Sequence, residues 1–347
     1  MASERPAARP VNRIVAVGAS AGGVETLRDL VARLPADLDA SVLVVLHLSP
    51  NSPSALDAIL RRAGDMQVVS PETGDPLVAG TVYVAPPDRH LLVRDGGLVV
   101  SRGPRENGHR PAVDPLFRSV SRWYGPAAIG VVLSGTLDDG AAGAAIVGQR
   151  GGRVLVQDPD EALYPGMPRA ALRAWPGAEV TTLPKMADVL VDWIADPIPW
   201  APVGADRDLE LETDMAEFDD EAMADPDRPG IPAGFSCPDC NGAMFEIDSD
   251  VMRFRCRVGH AWSPESLVAQ QVDGAEAALW MAIRHLEEKA ALHRRLADSA
   301  AQRGSQIGAR MHVERAKESG ESAEIIRRLL RVPLTGDAAA SSSVVSD

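Results

Sequence analysis

Two groups of side chains in this 347-residue chain have the types and spacing to do chemistry. The first is Ser20, His47 and Asp139. Ser20 lies in Ile14-Val-Ala-Val-Gly18-Ala19-Ser20-Ala21-Gly22-Gly23-Val24, a β-branched run followed by a glycine-rich turn and a helical pattern. These letters fit two mechanisms. A dinucleotide site needs glycine at the second fingerprint position, so that a pyrophosphate can approach the backbone, and Ser20 stands there instead. A Gly-x-Ser-x-Gly nucleophile elbow needs a serine on a sharp strand-to-helix turn, with backbone N–H groups nearby to receive an oxyanion. A tight turn with no ligand is the plain alternative. His47 closes the apolar run 41–47, and Asp139 lies in Ser134-Gly-Thr-Leu-Asp138-Asp139-Gly140 after the run 128–133. Strand ends of this kind are where open α/β sheets place ligand groups. A hydroxyl is a poor nucleophile until an imidazole takes its proton, and the imidazole needs a carboxylate to hold its tautomer. The three together suffice for acyl transfer. Their order, Ser then His then Asp, differs from the Ser, Asp, His order of α/β-hydrolases. Against this stand a histidine hydrogen-bonded for structure alone and an Asp-Gly step that is ordinary turn chemistry.

The second group is Cys237-Pro-Asp-Cys240 and Cys256-Arg-Val-Gly-His260, which are C-x2-C and C-x3-H separated by fifteen residues. This is ribbon-like zinc spacing, with 244–247 and 252–255 as a connecting hairpin. Four protein ligands leave no open coordination position, so the metal is expected to be structural. A module this small lacks the apolar area to fold without such a staple. The alternative is a degenerate ribbon with reduced, metal-free thiols. Redox C-x-x-C chemistry is disfavoured because no thioredoxin-like frame surrounds it.

The elements that must position these groups follow from the hydrophobic patterning. Strands are predicted at 14–17, 41–47, 81–85, 128–133, 153–156 and 179–182, with helices at 23–34, 54–62, 113–123, 140–149 and 186–194 between them. The alternation predicts an α/β fold: a doubly wound, mostly parallel sheet with helices on both faces. Runs 91–94 and 98–101 around Asp95-Gly96-Gly97 read as a hairpin. Residues 1–12 are expected to be disordered, 13–196 to form the α/β domain, and 197–234 to be an acidic, proline-containing linker extended by self-repulsion. A Cys/His module over 235–266 and an amphipathic helical hairpin over 267–332 come next. The Ala/Ser-rich tail 333–347 is expected to be disordered. The hairpin, with Trp280 and Met281, is read as a docking element for a partner or a second copy.

Composition narrows the function classes. Hydrophobic residues at 45% and charged residues at 24% are ordinary globular usage, which excludes fibrous and wholly disordered chains. No apolar run approaches the roughly 18 residues of a membrane span, and no secretory h-region is present. A cytoplasmic location without membrane insertion is therefore expected. Three cysteines cannot build a disulfide framework. The net charge of -14 argues against nucleic-acid binding, but residues 206–228 carry eleven of the acidic groups against two basic ones.

Six motifs in order resemble the catalytic domain of the CheB-type protein-glutamate methylesterases of bacterial chemotaxis. They are Val17-Gly-Ala-Ser-Ala-Gly-Gly23, Leu46-His47-Leu-Ser-Pro50, Val84-Ala-Pro-Pro-Asp-Arg-His90, Gly108-His-Arg-Pro-Ala-Val-Asp114, Leu133-Ser-Gly-Thr-Leu-Asp-Asp-Gly140 and Gly166-Met-Pro-Arg169. The resemblance implies Ser20 as nucleophile, His47 as base and Asp139 as its carboxylate, with backbone N–H groups near Ala21 and Thr136 receiving the oxyanion. It implies hydrolysis of a glutamyl γ-methyl ester on a methylated chemoreceptor-like protein, and deamidation of glutamine by the same intermediate. No catalytic cofactor is needed, and a methyltransferase or signalling protein is an expected partner. Two departures stand out. The family usually has Met and Gly where this chain has Thr136 and Leu137, in the loop that approaches substrate. Members of the chemotaxis pathway also carry an N-terminal receiver domain, whereas about thirteen residues precede the first strand here, so the expectation is an enzyme that is either constitutive or controlled by a partner or by the C-terminal region. That region resembles the extension of receiver-less homologues. The rival reading is a non-catalytic signalling adaptor that uses the esterase-like fold and the C-terminal module to bind a partner. His90 and His109 are read as loop histidines satisfied by backbone contacts, and Arg110, Asp114 and Arg169 as residues that either position a glutamyl substrate backbone or, as the plainer reading, brace the loops.

Overall fold

The computed structural model describes residues 11–48, 55–197, 204, 206–225, 230–247 and 251–332. The expected disorder at 1–12 and 333–347 falls almost wholly outside these residues, as does part of the expected linker. The β-branched runs form strands because both faces of a parallel sheet are covered, so the side chains along the central strands are almost all apolar. Seven strands result: β1 (Ile14–Ala19), β2 (Ser41–Leu46), β3 (Gln67–Val69), β4 (Thr81–Val84), then, past the hairpin of β5 (His90–Arg94) and β6 (Gly97–Ser101), β7 (Ala128–Val132), β8 (Arg153–Gln157) and β9 (Glu179–Thr181). Their order is β3-β4-β2-β1-β7-β8-β9, and all neighbours are parallel.

The period-2 alternation divides each strand between two cores. Val15, Val17, Val42 and Val44 face α1 (Gly23–Val31), α2 (Leu56–Ala63) and α6 (Leu183–Ala195) through Leu27, Leu30, Leu60 and Met186. Ile14, Ala16, Leu43 and Val45 face the β5-β6 hairpin, α3 (Val113–Tyr124), α4 (Ala141–Gln149) and α5 (Gly166–Ala174) through Leu91, Phe117, Val147 and Met167. The doubly wound sheet expected from the sequence is thus present. Helix α5 was not expected: its opening Gly-Met-Pro hides the helical periodicity in so short a segment. Because β2 and β7 flank β1 on opposite sides, the connections diverge there and leave a crevice at the carboxyl ends of the strands.

Glycine allows a close approach at this edge. A Cβ on Gly18 would fall 2.3 Å from Val113 Cγ1, so the start of α3 is seated directly on the end of β1.

The segment expected to be an extended linker carries α7 (Arg207–Glu217) and the short α8 (Asp220–Ala224). Asp206 and Asp219 cap them by accepting backbone N–H groups from Leu209 and from Glu221 and Ala222. Leu209, Met215 and Ala216 are buried, and Ala216 packs with Leu92 and Val99 of the hairpin. The apolar content of this segment is low, as read from the sequence, but buried ion pairs replace it. Strands β10 (Ile231–Ser236), β11 (Ala243–Ile247), β12 (Arg253–Cys256) and β13 (Ala261–Trp262) then form an antiparallel sheet in sequence order. Its small core comprises Cys237, Met244, Phe254, Cys256, Trp262 and Leu267.

Residues 1–267 form one compact unit and 268–347 a second. In the second unit, α9 (Pro264–Gln302) continues to a turn at Gly304, and α10 (Gln306–Leu330) returns. Ala290, Ala297, Ala300, Ala316 and Ala323 are buried, which lets the two helices approach closely. Glu287 pairs with Arg327, and the His293 and His312 rings stack with centroids 5.3 Å apart. Of the stripe expected to be apolar and packed, Ile283 is buried while Ile325 and Leu329 are exposed, alongside Trp280 and Met281.

Candidate active site

Ser20 follows β1 directly, His47 follows β2, and Asp139 follows β7. The turn after β1 is closed by Gly23 N–H donating to Ser20 O at 2.9 Å, with Gly22 in the left-handed region (φ 72°) as the cap of α1. Ser20 N–H donates to Ser134 O, and Ser134 Oγ donates to Ala21 O, so the loop after β7 clamps the turn. A Cβ on Gly135 would lie 2.9 Å from Ser20 Cβ, which places the Gly135-Thr136 backbone beside the serine.

The three predicted residues are brought together. His47 Nδ1 lies 3.1 Å from Ser20 Oγ, and Nε2 lies 2.7 Å from Asp139 Oδ2. An ionised carboxylate only accepts, so Nε2 carries the proton and Nδ1 is free to accept from the hydroxyl. Asp139 is 2% exposed, and its carboxylate takes further hydrogen bonds from Val113 N–H at 2.7 Å, Asp114 N–H at 3.2 Å and Asn107 Nδ2 at 2.9 Å. Burial alone would raise its pKa, but the hydrogen bond and charge of His47, with the Val113 N–H, hold it well below the ordinary carboxylate range. Asp114, in the first turn of α3, is pushed above that range by burial and by the neighbouring Asp139 charge. The pair therefore divides into one committed anion and one weaker acid.

Among the described residues, the backbone N–H groups of Ala21 and Thr136 donate to no protein acceptor. On the neighbouring loops Leu137, Leu163 and Tyr164 have exposed side chains, Leu163 lying beside Gly22 and the Tyr164 backbone oxygen accepting Gly135 N–H. Leu137 occupies the left-handed region at φ 59°, the position where the family pattern has glycine.

Two residues that the motif reading left as structural, or did not single out, contact this group. His109 stacks on His47 with ring centroids 3.7 Å apart and an interplanar angle of 11°. Burial, then the nearby His47, lowers its pKa to about 4, so it stays neutral beside the imidazole. Asn107 binds Asp139 through its amide. Both come from the turn Glu106-Asn107-Gly108-His109, whose ends exchange backbone hydrogen bonds and whose central residues have φ 52° and 76°. The Asn-Gly dipeptide is the available sequence signal, since it favours such a turn. The structural readings describe the other residues: His90 Nε2 donates to Pro104 O and its Nδ1 accepts from Ala112 N–H, while Arg110 pairs with Asp88 at 2.6 Å and binds Gly103 O. Arg169 is exposed on α5.

Cys237, Cys240, Cys256 and His260 also converge, with their ligand atoms all within 4.8 Å of one another. Two knuckles position them, held by Asn241 N–H to Cys237 O and Gly259 N–H to Cys256 O. Cys240 Sγ and Cys256 Sγ are 3.7 Å apart, and Cys256 Sγ is 3.6 Å from His260 Nδ1. A tetrahedron with metal–sulfur bonds of about 2.3 Å has edges of about 3.8 Å, so these spacings fit one metal ion.

A parallel α/β sheet with serine, histidine and aspartate hydrogen-bonded in series at its switch crevice defines the class. The comparisons define the family. Residues 15–190 match the CheB methylesterase family model, and the chain belongs to that family. It is 42% identical over 178 residues to a protein-glutamate methylesterase/protein-glutamine glutaminase of Myxococcus xanthus, covering 51% of this chain and 50% of that protein. A namesake from Methanosarcina mazei is 38% identical over 189 residues, covering 52% of each. The chain thus spans about half the length of the curated relatives it matches. The crystal structure of the Thermotoga maritima CheB methylesterase catalytic domain superposes with a TM-score of 0.50 at 29% identity, over 52% of this chain and 97% of that one.

Proposed function

We propose that this protein hydrolyses glutamyl γ-methyl esters on a methylated chemoreceptor-like protein, and that it deamidates glutamine side chains by the same route. The observation that carries the reading is the continuous hydrogen-bonded series from Ser20 through His47 to a buried Asp139. Ser20 Oγ attacks the ester carbonyl as His47 Nδ1 takes its proton, and Asp139 stabilises the imidazolium that forms. The Ala21 and Thr136 N–H groups receive the oxyanion of the tetrahedral intermediate. Collapse of that intermediate expels methanol, protonated by His47, and leaves an acyl-enzyme. His47 then removes a proton from water, which attacks the acyl carbon and releases the glutamate carboxylate and Ser20. With glutamine the leaving group is ammonia, in keeping with the glutaminase activity in the relatives' names. The exposed side chains of Leu137, Leu163 and Tyr164 suit the apolar flank of a helical protein substrate. The chemistry calls for no cofactor. The Cys/His site is assigned to structural zinc, whose preference for thiolate and imidazole matches the donor set.

No helix among the described residues is long and apolar enough to cross a membrane. We place the reaction in the cytoplasm, on the signalling region of the receptor, with the opposing methyltransferase or another signalling protein as a further partner.

The test is methanol release from a methylated chemoreceptor cytoplasmic fragment. Replacing Ser20 by Ala is expected to cut turnover by about 10³ or more, because it removes the covalent route. Equal release by Ser20→Ala would overturn the mechanism. The adaptor reading predicts instead that folded wild-type protein is inert both to this substrate and to a serine-directed phosphonate.

A further inference from the structure

The Asn107 amide has every polar position occupied. Its two N–H groups point at Asp139 Oδ1 (2.9 Å) and Asp114 Oδ2 (3.1 Å), and its Oδ1 accepts the backbone N–H of Ser263 at 2.7 Å. Ser263 belongs to the Cys/His module, at the end of β13 where α9 begins. The amide therefore has one orientation: carboxylates demand the nitrogen on one side, and an N–H demands the oxygen on the other.

The same module grips the turn that carries Asn107. Ala261 N–H donates to Arg105 O at 3.2 Å, and Asn107 N–H donates to Ala261 O at 2.8 Å, which extends β13 onto the loop. Below the turn, the Glu106 carboxylate binds Arg118 of α3 and Arg255 of β12. Beside it, the carboxylate of Asp138 leaves the crevice and accepts Ser263 Oγ at 2.6 Å and Ser266 Oγ at 2.7 Å, with Glu265 N–H at 3.3 Å. Adjacent carboxylates thus divide the work, Asp139 facing His47 and Asp138 holding the first turn of α9.

Resting on the esterase reading, we propose that the Cys/His module completes the active site, with Asn107 and the Ser263 N–H acting as positioning residues that hold Asp139 against His47. The module is then a point of control. Anything that detaches β13 from the 105–107 segment frees the Asn107 amide to turn and removes a donor from Asp139. With one donor fewer, the Asp139 carboxylate is free to turn away from His47, and the imidazole loses the fixed orientation in which Nδ1 accepts from Ser20 Oγ.

Asn107→Gly deletes the amide and keeps the left-handed backbone without strain. Ser263→Pro deletes the N–H at a strand end, whereas Ser263→Ala deletes only the hydroxyl and serves as its control. Two readouts are taken on each folded variant: kcat and KM of methanol release, and the rate at which a fluorophosphonate labels Ser20, which needs no receptor substrate. Asn107→Gly and Ser263→Pro are expected to lower both rates by roughly tenfold to hundredfold with KM little changed, as misplacement of a catalytic group does. Ser263→Ala, which keeps the N–H to Asn107 but loses the hydroxyl that Asp138 accepts, is expected to lose less labelling rate than Ser263→Pro. Unchanged labelling and kcat in Asn107→Gly would overturn the proposal, as would a slow Ser263→Pro beside a normal Asn107→Gly. If wild type labels at Ser20 but releases no methanol, the substrate assignment fails while labelling still decides the positioning role. If wild type does not label, the triad and the proposal fall together.

Discussion

His109 lies flat on His47, and its titration makes a prediction about stability. Burial and the neighbouring imidazole lower its pKa from 6.5 to about 4, so the unfolded chain binds a proton that the folded one refuses between those values. Stability carried by this group is fully present above pH 6.5 and is lost as pH falls towards 4. Asp114 acts in the opposite sense, because burial and the Asp139 charge raise its pKa. Substitution isolates the histidine: His109→Asn should lose less stability than wild type between pH 7 and 5, by an amount on the order of 1 kcal/mol after allowance for its partial exposure. Urea titrations at the two pH values check this, and parallel losses in both proteins would refute it. A second residue-scale prediction concerns Leu137, a bulky side chain at φ 59°. Leu137→Gly should raise the urea midpoint, with a net gain of about 0.5 kcal/mol once glycine's extra freedom in the unfolded chain is subtracted from the relieved strain. A lower midpoint would show that the exposed leucine contributes packing that outweighs its backbone cost.

Helix α7 shows why an acidic stretch with few apolar residues is ordered. Glu212 is 2% exposed and lies among three guanidiniums: Arg253 at 2.6 Å, Arg255 at 3.3 Å and the fully buried Arg118 at 3.5 Å. Burial would raise its pKa, yet these charges bring it down to about 2. The cluster joins α7 to α3 and to β12, so one acidic side chain ties three elements together. Glu212→Ala leaves buried cations unpaired and is expected to cost about 3–5 kcal/mol, read from chemical unfolding. A loss under about 1 kcal/mol would mean that water or Glu106 compensates. Neighbouring acidic residues are also engaged, Asp214 with Arg122 at 2.5 Å and Glu217 with Arg94 at 2.7 Å. Much of the charge that made this stretch read as a self-repelling linker is therefore spent on bonds to the α/β domain.

For the molecule as a whole, the metal site and the sheet crevice belong to one compact unit, residues 1–267. If zinc staples the module, atomic emission should find one ion per chain, and Cys237→Ser should abolish it. Stripping the metal should lower the melting temperature of the intact protein by several degrees or more, because four freed ligands leave the small core around Trp262 to hold the module unaided. An unchanged melting curve together with absent metal would favour the metal-free ribbon. The net charge of -14 does not describe a uniformly acidic exterior, since part of it is paired within the fold.

The meeting of Ser20, His47 and Asp139, the parallel sheet and the cluster of Cys237, Cys240, Cys256 and His260 were all legible in the chain, for a common reason: each is written in local pattern. Strand periodicity, the strand-end position of polar residues, turn glycines and C-x2-C spacing involve near neighbours in sequence, and topology then carries the strand ends to one edge. Asn107, the stacking of His109, the order of α7 and the attachment of the Cys/His module were not legible. These depend on partners 32 to 156 positions away: Asn107 on Asp139 and on Ser263, Glu212 on Arg118 and on Arg253. A buried acidic residue and a solvated one look alike in a sequence window, because the desolvation cost and the arriving cation exist only once distant segments have met. The chemistry was set by residue type and local spacing; the tertiary structure decided which carboxylate faces the histidine and which holds the module that supports it.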